Sequence, residues 1–193
     1  MIYPVNEIFE SIQFEGGRSG TRNIFIRLAG CNMSCQFCDT NTAFFEELFV
    51  SEILERCSEF ECKNVVITGG EPMIHDLTLL LAALKGEGYY IAMESNGSLL
   101  ENLYEDNRID LVDWLTVSPK EQVDRMYLEL AHETKYVVPD HETLIWWGHQ
   151  KIFLQPEWNK KASLARCLEL QREKDFMGSV KLSVQTHKYL DLR

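Results

Sequence analysis

The chain has 193 residues, enough for one domain with a sizeable core and too few for two comfortable ones; a compact fold of this size buries roughly 70% of its unfolded surface, so no metal or disulfide is needed merely to hold it together. Apolar residues make up 45% and charged residues 25%, an ordinary globular balance, and the net charge of −11 argues against a nucleic-acid partner, which requires a basic face. No apolar run is long enough to span a bilayer and Met1-Ile2-Tyr3-Pro4 does not open a signal peptide, so a cytoplasmic setting without a membrane partner is expected, with the six cysteines as thiols or metal ligands rather than disulfides.

No repeat, low-complexity tract or linker interrupts residues 1–193, which predicts a single domain. Short apolar runs alternate with longer amphipathic stretches. The first predicted strand, Asn23–Leu28, runs into a cysteine-rich loop. A helix over Ser51–Phe60 leads to a strand at Asn64–Thr68, which ends on Gly69-Gly70-Glu71-Pro72. The clearest helix, Asp76–Glu87, sets Leu77, Leu80, Leu81 and Leu84 on one face and stops at Gly88. Strand Tyr89–Glu94 then ends in Ser95-Asn96-Gly97, and strand Trp114–Ser118 in Ser118-Pro119-Lys120. Strands at Thr134–Val138 and Lys151–Gln155 come next, the second ending in Gln155-Pro156-Glu157. A helix over Ala162–Lys174 precedes the last strand, Lys181–Val184, and Gln185-Thr186-His187.

Strands rich in Val, Ile, Phe and Tyr alternating with helices predict right-handed βαβ units and an α/β fold with a parallel sheet, either open or curled into a partial barrel. Six polar or Gly/Pro clusters stand at the strand ends. In such folds the carboxyl ends of the strands open on one face, so these clusters are expected to meet at one cleft.

Cys31-Asn-Met-Ser-Cys35-Gln-Phe-Cys38 is the most informative stretch. Three thiolates spaced CxxxCxxC can wrap one metal cluster but cannot fill a four-coordinate site alone, whereas structural zinc and ordinary iron–sulfur carriers want four ligands. A cluster with one iron open to a ligand satisfies the spacing. Two readings stay open at this level: three cysteines buried in a core, and zinc completed by a remote His187. Cys57, Cys62 and Cys167 have no matching spacing; they read as small buried hydrophobes, or less readily as a second cluster.

Arg27 lies on the first predicted strand. If that strand is covered on both faces, its guanidinium is a buried cation that requires an anion, such as a ligand carboxylate or a structural partner in Glu15 or Glu94. Gly69 and Gly70 permit a backbone to lie close to a ligand without a Cβ clash, with a plain tight turn as the alternative.

CxxxCxxC after one strand and Gly-Gly-Glu-Pro after the next resembles the radical S-adenosylmethionine (SAM) superfamily. Within it, the chain resembles the 7-carboxy-7-deazaguanine synthases over nearly its whole length. The resembling segments include Asn6–Gly16, Phe25–Asn32, Cys38-Asp39-Thr40, Thr68–Pro72, Glu94–Gly97, Val117–Lys120, Lys135–Val138, Gln155-Pro156 and Leu182–Lys188. Departures from the usual pattern stand at Phe14, where glycine is usual, at Phe37, where tryptophan is, and at Ser95, where threonine is. The first of these is the largest, and a ring there bears on the substrate pocket.

The resemblance implies a reduced (βα) barrel of radical SAM type. It implies a 4Fe-4S cluster on Cys31, Cys35 and Cys38, and SAM contacts from Phe37, Cys38, Asp39, Gly70, Glu71, Ser118, Pro119, Lys120, Gln155, Pro156, Glu157 and Trp158. Mg2+ would be held by Thr40, a hard neutral oxygen ligand. Substrate contacts would come from Ile12, Gln13, Phe14, Glu15, Arg27, Thr68 and the terminal Arg193. The implied reaction is conversion of 6-carboxy-5,6,7,8-tetrahydropterin to 7-carboxy-7-deazaguanine with loss of ammonia, a step toward queuosine, fed by flavodoxin or ferredoxin in a homodimer. Trp146-Trp147 is a candidate interface anchor, and Tyr189–Arg193 a segment that folds over the substrate. A different radical SAM reaction, such as glycyl-radical activation, remains the alternative at this level.

Overall fold

A computed structural model describes residues 1–41, 43–104, 108–121, 123–139, 145–146, 148–149, 151–175 and 178–192. The chain falls into two compact units, one made of residues 1–11, 22–95 and 99–115, the other of residues 12–21, 96–98 and 116–193.

In the first unit the strand order is β3-β1-β2-β4-β5, with β1 over Ile2–Gln13, β2 over Thr21–Leu28, β3 over Glu46–Phe49, β4 over Asn64–Gly69 and β5 over Tyr90–Ser95. The last residues of β1 and the first of β2 count with the second unit. β2, β4 and β5 are parallel, Ile24 opposite Val65 and Val65 opposite Ile91, while β3 runs antiparallel to β1. β2, β4 and β5 match the expected strands. β1 and β3 were not expected: β1 buries Tyr3, Val5, Phe9 and Gln13 between more exposed polar residues, so it carries no continuous apolar run.

Two nine-residue helices lie in this unit, α1 over Val50–Ser58 and α2 over Thr78–Gly86, close to their expected limits. Glu52 turns back to accept the Phe49 N–H at 2.7 Å, and Asp76 Oδ1 accepts both the N–H and the hydroxyl of Thr78, so each helix begins on a satisfied donor. Gly88, at φ +76°, takes the left-handed turn that ends the second. Leu77, Leu80, Leu81 and Leu84 are all buried, as their spacing requires, together with Ile53, Ile24, Ile26, Ile67, Ile91 and Met93. A four-residue helix, α3 (Glu101–Tyr104), comes after β5.

The second unit holds β6 to β9 in sequential order, all parallel: β6 at Trp114–Val117 (its first two residues counting with the first unit), β7 at Glu133–Val138, β8 at Ile152–Pro156 and β9 at Val180–Leu182. Asp124 caps the short α4 (Arg125–Leu130) by accepting the Met126 N–H. The long α5 (Lys161–Lys174) packs on β7, β8 and β9, and Tyr136, Val138, Ile152, Leu154, Cys167, Leu170 and Val180 close the core. A last turn, α6, spans Thr186–Tyr189.

Successive residues of β7 face opposite ways. Tyr136 and Val138 enter this core, which sends Glu133 and Lys135 to the other face although both are buried.

Leu154 is fully buried in the second core. Leu154→Ala is expected to cost about 2–5 kcal/mol, read as a fall in the urea midpoint with unchanged slope.

Candidate active site

In the first unit, β2 ends at Leu28 and the chain turns at Gly30, φ +85°, into the cysteine loop. β4 ends one strand away on Gly69, φ +143°, a conformation that only glycine adopts readily. The Gly70 N–H donates to Leu28 O at 3.2 Å and the Glu71 N–H to Gly30 O at 3.0 Å, so the Gly-Gly turn lies directly against the root of the cysteine loop. A methyl group on Gly70 would overlap the Gly30 carbonyl and press on Cys31 Cβ. The two motifs, distant in sequence, are packed backbone on backbone.

Cys31 and Cys38 are exposed and Cys35 half-buried. Small contacts shape the loop: the Cys38 N–H donates to Cys35 O at 3.1 Å, the Met33 N–H to Cys31 Sγ at 3.4 Å, and the Cys38 thiol to Thr40 O at 3.7 Å. Among the described residues no three His, Cys, Asp or Glu side chains are gathered as a metal cage, so the three sulfurs are accessible donors on one loop rather than a preformed site. As donor chemistry this trio fits a cluster that leaves one iron open, and the tightly packed Gly70 turn fixes the root of the loop that carries it.

The other cysteines behave as the apolar residues their spacing suggested. Burial pushes the Cys57 and Cys167 thiols up to about 12, with Lys63 weakly opposing the shift at Cys57. Cys62 is buried and donates to Arg22 O at 3.2 Å.

Arg27 is opposite Thr68 in the β2–β4 register, and the Thr68 hydroxyl donates to Glu94 Oε2 at 3.3 Å. These three side chains make a polar row across β2, β4 and β5. The structural partner of Arg27 is neither Glu15 nor Glu94 but Glu7 on β1, Nε to Oε1 at 2.8 Å, and Arg27 is only partly buried. The error comes from missing β1, the strand that carries Glu7. The Nη nitrogens of Arg27 meet no carboxylate among the described residues, which leaves their paired donors for a ligand. Glu71 is fully buried; its carboxylate accepts the Ser95 hydroxyl at 2.8 Å and the Met73 N–H at 3.0 Å, tying the end of β4 to the end of β5.

The second unit holds the other candidates. Ile12 is exposed and Phe14 half-buried. Gln13 is buried and its Oε1 accepts the Glu15 N–H at 3.0 Å. Lys135 Nζ lies 2.5 Å from Glu15 Oε2, and Gln185 Nε2 donates to Glu15 Oε1 at 3.0 Å. Burial alone would raise the Glu15 carboxyl; the Lys135 ammonium, aided by hydrogen bonds from Lys135 and Gln185, outweighs it and holds the group at about 2. Sequence reasoning named Glu15 and overlooked Lys135 and Gln185, although both stand in segments that resemble the family.

Lys120 Nζ donates to the nearly buried Ser118 Oγ at 2.6 Å beside Pro119. Gln155 is buried and Oε1 accepts the Ser183 hydroxyl at 3.1 Å, while Glu157, after Pro156, pairs with Lys160. Trp158 and Tyr189 meet edge to face, centroids 4.7 Å apart, both exposed. Trp146 donates its backbone N–H to Tyr136 Oη at 3.3 Å. Trp147 and Arg193 lie outside the described residues.

The radical SAM superfamily pattern matches residues 25–137. Over full length the chain is 31% identical to the 7-carboxy-7-deazaguanine synthase of Buchnera aphidicola subsp. Schizaphis graminum, with all of both chains covered. It is 34% identical to the enzyme of the same name from Aquifex aeolicus, covering 98% of this chain and 94% of that one. The crystal structure of QueE from Escherichia coli aligns with a TM-score of 0.71 at 27% identity, covering 96% and 94% of the two chains.

The α/β fold and mostly parallel strands expected from sequence are therefore those of a radical SAM enzyme, a class that works with a 4Fe-4S cluster and SAM. Within that class the chain belongs to the 7-carboxy-7-deazaguanine synthase family. Among the described residues no helix is long and apolar enough to cross a membrane.

Because Glu15 is depressed from 4.5 to about 2, its contribution to stability is present above pH 4.5 and is lost as pH falls through that window. Urea unfolding at stepped pH is expected to show a steeper loss between pH 4.5 and 2 for the native chain than for Glu15→Gln, which is already weakened at pH 7 by the uncompensated Lys135.

Proposed function

We propose that the chain converts 6-carboxy-5,6,7,8-tetrahydropterin to 7-carboxy-7-deazaguanine with release of ammonia. The observation that carries this reading is the pairing of an open-sided cysteine trio against the Gly69-Gly70 turn with a polar row, Arg27, Thr68 and Glu94, on the same unit. The full-length likeness to synthases of that name supports it.

Cys31, Cys35 and Cys38 would hold the cluster, and Phe37, Asp39, Gly70 and Glu71 of the same unit are assigned to SAM. When bound, the cluster and SAM would supply 5′-deoxyadenosyl radical chemistry. The chain's own residues bind and orient. Gly70 lets the turn lie directly against Gly30 and Cys31, where any Cβ would collide with the Gly30 carbonyl. Arg27, fixed through Nε by Glu7, offers two parallel donors to the substrate carboxylate. Thr68 and Glu94 offer a hydroxyl and a carboxylate beside it, and Gln13, Glu15 and their neighbours Ile12 and Phe14 are assigned to the pterin's amide and amine edge. The Thr40 hydroxyl would serve Mg2+, a hard cation that keeps most of its shell for water and substrate. The same reading takes residues 1–193 as one radical SAM domain acting as a cytoplasmic homodimer with a flavodoxin- or ferredoxin-type donor.

Reconstituted protein mixed without air with SAM, reductant and carboxytetrahydropterin is expected to yield the deazapurine by mass spectrometry, and Cys38→Ala to abolish it. SAM cleavage without that product would overturn the substrate assignment. Arg27→Ala is expected to raise the KM for the pterin about tenfold to a hundredfold, the worth of a charge-assisted pair, in steady-state assays.

A further inference from the structure

Glu15 sits in a turn, residues 13–17, that is held at several points by other parts of its unit. From β7, Lys135 pairs with one carboxylate oxygen of Glu15 while Gln185 donates to the other. Two residues back on the same face of β7, Glu133 Oε2 accepts the Gly17 N–H at 2.7 Å, and its Oε1 takes the Thr116 hydroxyl at 2.9 Å. Gly16, at φ +66°, lies so close to that carboxylate that a methyl group would overlap Oε1, and its own N–H donates to Ser183 Oγ at 3.1 Å.

Charged groups this deeply buried are costly unless paired, and packing alone would have been served as well by apolar residues. Glu133 is 1% exposed and Lys135 5%. Their placement has a directional result instead: each oxygen of Glu15 has a donor on the protein side and a remaining lone pair for another.

We propose that Lys135, with Gln185 beside it, is a positioning residue for substrate recognition: it holds Glu15 as a charged, oriented acceptor for the amine-bearing edge of the pterin, on a turn anchored by Glu133. The inference rests on the functional reading above and deepens it. The titratable groups that face Glu15 are Lys135 from β7 and His187 from α6, while Lys188 engages the same Gln185 through its Oε1 at 3.0 Å. Without Lys135, burial acts on Glu15 with less opposition and its carboxyl moves up, so the charged form is lost as pH falls.

The test is Lys135→Met, with Lys135→Arg and Gln185→Leu as companions in case the first does not fold. In steady-state assays K135M is expected to raise the KM for carboxytetrahydropterin about tenfold to a hundredfold at pH 6 and less at pH 8, with kcat little changed, while K135R recovers most of the loss and Q185L shows a smaller rise of the same kind. On a Glu15→Gln background K135M is expected to add nothing further. In ligand-free protein the 13C carboxyl resonance of Glu15 should titrate at higher pH in K135M than in the native chain. An equal KM rise on the Glu15→Gln background, a pH-independent loss, or an unmoved Glu15 titration would overturn the proposal. If the native chain makes no deazapurine, the functional reading fails, and the titration alone then decides whether Lys135 sets the charge of Glu15.

Discussion

The close approach of two backbones governs the chemistry of the first unit. β2 and β4 are parallel neighbours, so their carboxyl ends must emerge side by side; whether a site can form between them depends on whether the two exits can touch. They touch because Gly70 donates to Leu28 and Glu71 to Gly30 with no side chain between. Glycine at 69 and 70 costs conformational freedom that alanine would keep, which is worth accepting only where contact is needed. With the contact made, the first cysteine is fixed at the lip of the Gly-Gly turn, and Arg27, Thr68 and Glu94 lie within a residue or two of the ends of their strands.

The second unit is organised around buried charge rather than backbone approach. Alternation along β7 gives its apolar residues to the α5 core and its carboxylate and ammonium to the turn at residues 13–17. One short strand thereby serves packing on one face and holds the Glu15 turn on the other. The ion pair there is protected from screening by its burial, unlike Arg22–Glu10 or Arg56–Glu46, which stand in water and contribute little.

Legibility in the sequence divides along the same line. Short apolar runs such as Ile24-Phe25-Ile26, Val65-Val66-Ile67, Ile91-Ala92-Met93, Tyr136-Val137-Val138 and Ile152-Phe153-Leu154 declare their strands, so β2, β4, β5, β7 and β8 stand within a residue or two of their expected places. β1 does not declare itself, because Asn6, Glu7, Glu10 and Ser11 interrupt it, and with it goes the partner of Arg27. The cysteine spacing and the Gly-Gly turn are legible because each restricts chemistry to a few residue types. Glu133 and Lys135 are not, since nothing in local spacing tells a charged residue in a strand to face inward; only register and the distant residues 15–17 do.

Three of the six thiols, Cys57, Cys62 and Cys167, are buried, and the other three stand on one loop. A sulfur must shed its proton to bind metal, and burial pushes Cys57 and Cys167 up to about 12, which disfavours their thiolates near neutral pH. Metal reaching the folded chain therefore meets reluctant sulfurs at these two positions and exposed ones at Cys31 and Cys38.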